Sequence, residues 1–128
     1  MDESEFPAMA RIEELVARVF NDRNAAHLAH WRTGSYAQHV PLGDFYKAII
    51  ETIDKIVECF QADLGKISDL PTIPSPMNDN ITQQLMETSK WIEENANSIS
   101  EGMIAVGNLI AELQTTYKST IYKLNNLI

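Results

Sequence analysis

A single cysteine, Cys59, leaves the chain without an internal disulfide and without a C-x-x-C pair for zinc. That economy fits a reducing compartment. Cys59 falls on the apolar side of its helix, where a thiol is buried and inert. Glycine and proline number only five each. The glycines are too scattered to build a G-x-x-x-x-G-K or G-x-G-x-x-G phosphate loop. Basic residues are also few: ten Lys and Arg stand against eighteen Asp and Glu, a net charge of −8. Such a balance disfavours direct binding to the nucleic-acid backbone or to anionic lipid, and it favours cations or a basic protein partner. No apolar run approaches the length of a membrane span. The opening MDESEFP lacks the basic-then-apolar order of a signal peptide. A cytoplasmic protein, free of membranes, is the expectation. Strand-like alternation of period two is missing as well.

What remains is helical. Apolar residues recur at spacings of three and four, in one domain long enough to bury a core without staples. The reading is all-α, a four-helix bundle with helices at about 7–32, 41–65, 79–96 and 98–127 and a proline-rich crossover at 69–78. The first helix starts at Pro7, with Asp2, Glu3 and Glu5 favourably placed by its dipole. Its stripe of Ile12, Leu15, Val16 and Val19 runs on into Arg23, Ala26, His27 and His30, so a core face turns polar. Phe20, Leu28 and Trp31 form a second apolar edge. An isolated amphipathic helix has no use for that edge, which suggests a subunit contact and a homo-oligomer.

The second helix begins at Pro41, carries Tyr46, Ile49, Ile50, Ile53, Ile56, Val57, Phe60 and Leu64, and stops at Gly65. Asp79 or Asn80 caps the third. Ser98 and Glu101 make an S-x-x-E capping box that starts the fourth. The rival is one unbroken helix through this region, since Ile99, Met103, Val106, Ile110 and Leu113 continue without a phase slip.

All three histidines, His27, His30 and His39, lie in one short span, and Asp54 and Glu58 follow at i, i+4 with Glu51 beside them. Imidazoles and carboxylates are ligands for iron and zinc, and bundles present them from facing helices. Each feature also has a plain reading. The histidines serve equally as hydrogen-bonded packing residues, and the acids as a solvated face whose mutual repulsion costs a few tenths of a kcal/mol. Only their joint occurrence in consecutive helices raises the metal reading.

The order His30-Trp31, Gly34, Tyr36, His39, Tyr46, Asp54, Glu58 resembles the ferritin-like Dps family, mini-ferritins that protect DNA during starvation. The resemblance covers roughly residues 20–65. It implies a ferritin-like four-helix bundle that binds iron between two-fold-related subunits, histidines from one and carboxylates from the other, with Fe(II) oxidised by peroxide or oxygen. It would make His30, His39, Asp54 and Glu58 iron ligands, with His27, Asp44 and Glu51 as lesser candidates. The family's further acidic ligand, four residues after the second histidine, falls here on Gly43, with Asp44 next to it. No basic N-terminal tail is present, so tail-driven DNA binding is not implied. The expected function is thus iron binding and ferroxidase-like Fe(II) oxidation at a subunit interface. The alternative is an interaction module without metal: an inhibitor, regulator or assembly subunit, bacterial or phage-encoded, that docks on a protein partner.

Overall fold

A computed structural model describes residues 6–73 and 80–128. Asp2, Glu3 and Glu5, the crossover prolines Pro74 and Pro76, and the cap candidate Asp79 lie outside the described residues. The protein is an all-α four-helix bundle: α1 Phe6–Arg32, α2 Tyr36–Leu64, α3 Ile81–Ser100 and α4 Ile104–Asn126. No helix among the described residues is long and apolar enough to cross a membrane.

Side-chain pairs fix the topology. His30 meets His39 and His27 meets Tyr46, so α1 and α2 run antiparallel. Arg11 bonds Asn95 and Asp22 bonds Gln84, so α1 and α3 do too. Phe45 meets Tyr117, and Gln38 reaches the carbonyl of Leu124, which sets α2 against α4. Ser100 faces Gly107 and Ser89 bonds Gln114, which sets α3 antiparallel to α4. Each helix has two antiparallel neighbours, and α2 and α3 stand parallel across the diagonal. The connection that leaves α2 at Gly65 is described as far as Ile73, where it runs back along the bundle. It does so over α1: Ser68 donates from its N–H and hydroxyl to Glu13, and Asn21 donates to the carbonyl of Ile73.

The stripes read from the sequence become the core. Ile12, Leu15 and Val19 of α1, Phe45, Ile49, Ile53, Ile56 and Phe60 of α2, Leu85, Ile92 and Ile99 of α3, and Val106, Ile110, Leu113 and Tyr117 of α4 are all buried. Each such aliphatic or aromatic side chain contributes about 1.5–3 kcal/mol of transfer energy.

Two boundaries differ from expectation. First, α2 begins at Tyr36, a turn and more before Pro41. The N–H groups of Gln38 and His39 close on the carbonyl of Ser35, so the helix is already wound when it reaches the proline. Pro41 lies inside α2 and has no N–H for the carbonyl of Ala37. Second, α3 runs through NANSIS to Ser100, and the Ser98–Glu101 capping box does not form. Burial of Ile99 at the core outweighs the weak helix propensity of its neighbours. The chain does reverse, slightly later, through Glu101 and Gly102, both at positive φ. Asn80 caps α3 as expected, accepting from the N–H of Gln83.

Candidate functional site

At the closed end of the α1–α2 pair the three histidines come together. His30 sits near the C-terminus of α1, where the last carbonyls lack intrahelical donors. His39 lies in the first turns of α2. Each ring reaches back to the other's backbone: His30 Nδ1 donates to the carbonyl of His39 at 2.6 Å, and His39 Nδ1 donates to the carbonyl of His30 at 2.8 Å. The two rings stack, with centroids 3.7 Å apart and planes 18° from parallel. A carbonyl can only accept, so in the neutral ring the proton sits on Nδ1 and the lone pair on Nε2. Proteins orient a ligating imidazole with the same kind of N–H bond to a carbonyl.

Gly43 explains how the rings fit. A Cβ built there would stand 2.9 Å from Cε1 and 3.1 Å from Nδ1 of His30. The place where the resemblance expects an acidic ligand is thus filled by the imidazole itself. Asp44, next along, is exposed. His27 forms the outer layer: it stacks on Tyr46 at 4.1 Å and tilts against Trp31 at 4.3 Å. Desolvation lowers its pKa, and neighbouring Arg23, His30 and Lys47 push the same way. His27 is therefore a neutral packing residue in this setting.

The carboxylates are elsewhere. Asp54, Glu58 and Glu51 are exposed on α2. At 1.5 Å rise per residue, Asp54 lies roughly 22 Å along the helix from His39. Among the described residues no three His, Cys, Asp or Glu side chains gather into a group able to hold a metal. Among the described residues, the histidine pair and the carboxylates Asp54 and Glu58 of one chain stay apart. The remaining candidates behave as the wheel requires. Phe20, Leu28 and Trp31 are exposed on the outside of α1, Trp31 to 67 %.

A second polar centre, absent from the sequence reading, lies inside the bundle. Asp22 is 2 % exposed. Its Oδ1 accepts from Gln84 Nε2 at 2.8 Å and its Oδ2 from the Tyr117 hydroxyl at 2.6 Å, and Thr88 donates as well. A cavity of about 60 Å³ opens beside it, lined by Arg18, Asn21, Ile73, Gln84, Glu87 and Thr88. Burial raises the carboxyl pKa to about 6 against the pull of its donors, and raises that of Tyr117 well above its ordinary value. The sequence did hold a signal. Asp22 follows Val19 by three and precedes Ala26 by four, which is a core position on the α1 stripe.

The chain matches DUF5856, a family of unknown function, over residues 30–124. It belongs to that family. The DUF5856 match opens on His30 and takes in His39, Gly43, Asp54 and Glu58 together with Gln84, Thr88 and Tyr117. Most of α1, including Phe20, Asp22 and His27, precedes it. No curated protein and no solved structure matches the chain.

Proposed function

We propose that this protein is a ferritin-like iron binder that oxidises Fe(II) at a two-fold contact between copies. His30 and His39 of one copy coordinate together with Asp54 and Glu58 of the other. The observation that carries the reading is the reciprocal bonding of the histidine pair, which directs both Nδ1 protons to carbonyls and frees both Nε2 lone pairs. The same bonds close α1 onto α2, and the metal reading adds a use for the two Nε2 lone pairs. Near-parallel rings 3.7 Å apart are poorly arranged to chelate one ion at about 2.1 Å from each nitrogen. Each ring would instead offer its own Nε2 to an ion.

The connectivity agrees. A bundle with a single long crossover is the ferritin-like arrangement. So does the charge: Arg23 and Lys47 stand near His27, while Glu51, Asp54 and Glu58 are exposed farther along α2. An isologous contact brings one region of each copy against the other. In the reaction two Fe(II) ions each give up one electron, and peroxide with two protons takes both electrons to become two waters. Dioxygen, taking two electrons and two protons, becomes hydrogen peroxide. The carboxylates stabilise the Fe(III) product, a hard cation suited to oxygen donors.

The test is anaerobic Fe(II) titration of metal-free protein, followed by oxidant and absorbance. Expected is saturable binding and oxidation faster than in buffer, both lost in His39→Ala and in Glu58→Gln. Absence of Fe(II) binding would leave the other reading, a bundle whose exposed apolar edge serves protein contacts alone.

A further inference from the structure

Three of the four helices send polar side chains to one point in an otherwise apolar interior. Asp22 comes from α1, Gln84 and Thr88 from α3, and Tyr117 from α4 across the diagonal. From α2, Phe45 closes the far side by packing edge-on against the Tyr117 ring at 5.0 Å. The charged groups near the carboxylate are few. Arg18 lines the cavity, but Glu14 holds its guanidinium at 2.7 Å and it lies 5.0 Å over the Trp91 ring. Glu87, the other charged residue lining the cavity, is an acid. No cation is bonded to Asp22. Its three neutral donors satisfy an ionised carboxylate without neutralising it, and burying a charge in that way is costly.

The cavity supplies what a protonated carboxyl would need. Its 60 Å³ exceeds the roughly 30 Å³ share of one water, so an acceptor for the added hydrogen has room on the open side. We propose that Asp22 is a proton-linked fastener: on mild acidification it takes up a proton, which removes the one charge enclosed by α1, α3 and α4 and stabilises the bundle. This goes beyond the proposed iron site, whose His30 lies about two turns farther along α1, and does not depend on it.

The sign follows from linkage. The folded carboxyl has its pKa raised to about 6 from an ordinary 3.8. Its stabilising contribution is complete below pH 3.8 and is lost as pH rises through about 6. Acid therefore strengthens this junction over a range in which most carboxylates would weaken a fold. The crossover rests on the same place, since Asn21 holds Ile73 at the cavity rim.

The experiment is a pair of thermal melts for the wild type and Asp22→Asn, at pH 7.5 and at pH 5, without metal. The comparison cancels His27 and the surface acids. Expected is a gain of about 5 °C in the wild type relative to Asp22→Asn on moving to pH 5. Parallel shifts in the two proteins would overturn the proposal. A second readout needs no variant: in the ¹³C spectrum the Asp22 carboxyl should titrate near pH 6, and a midpoint near 4, with the exposed aspartates, would equally overturn it.

Discussion

At the scale of single residues, two glycines in helices show how much a neighbour decides. Gly43 and Gly107 carry the same helix-propensity penalty, about 1 kcal/mol against alanine. Around Gly107 the nearest side-chain atom to a new Cβ is Ser100 Cβ at 3.6 Å, ordinary contact. Gly107→Ala should therefore stabilise the protein by about 0.5–1 kcal/mol in chemical denaturation. Around Gly43 the same methyl meets the His30 ring at 2.9 Å. That ring cannot swing freely, being stacked on His39 and bonded to its carbonyl. Overpacking costs about 1–3 kcal/mol and outweighs the propensity gain, so Gly43→Ala should be neutral to destabilising and should disturb the His30 imidazole resonances. A gain in stability like that of Gly107→Ala, with those resonances unmoved, would show the ring to be free. The histidines, Asp54 and Glu58 were all legible from spacing. Their separation was not, because a helical wheel gives direction around an axis and says nothing of distance between axes. Asp22 was legible in principle as an acid on a core stripe. One acid among eighteen carries no mark of burial until α3 and α4 are placed around it.

At the scale of elements, the stripes and the crossover were readable, while two helix ends were not. Both misplacements share a cause: a local signal was outbid by something nonlocal. Pro41 is a strong first-turn residue, yet the turn before it is held by the exchange of bonds between His30 and His39, which only pairing with α1 creates. Ser98 with Glu101 is a good capping box on paper, yet Ile99 at 1 % exposure belongs to α3 and to the core. The difference is measurable. A serine acting as N-cap costs about 1 kcal/mol when replaced by alanine. Inside α3, where alanine is the better helix former, Ser98→Ala should be neutral or slightly stabilising. A loss of 1 kcal/mol or more in urea denaturation would return the helix start to Ser98. Beyond that point, Glu101 holds φ 32° in the left-handed region, which favours glycine.

At the scale of the whole molecule, the sequence made the existence of an outer apolar edge plain and left its occupant to be argued. The bundle satisfies itself through one stripe per helix and leaves Phe20 at 42 %, Leu28 at 43 % and Trp31 at 67 % exposure along α1. Where the crossover descends, Glu13 and Asn21 tie it to the same helix, so the open stretch is the half of α1 nearest the histidines. On the proposed reading a second copy would cover that edge and supply its carboxylates to the imidazoles through one symmetric contact. Leu28→Glu separates that contact from folding. The site is on a helix surface and glutamate is a good helix former, so the isolated chain should keep its stability within about 0.5 kcal/mol. In a contact between copies the buried charge should cost about 2 kcal/mol, roughly thirtyfold in Kd. Sedimentation of metal-free protein at tens of micromolar, an ordinary working range, should then show a dimer or larger species that Leu28→Glu shifts toward monomer. If the second copy supplies the carboxylates as proposed, Fe(II) binding should fall with it. A wild type that sediments as monomer both with and without Fe(II) would remove the partner chain that the iron site requires, and would leave the reciprocal histidine pair as a device for closing α1 onto α2.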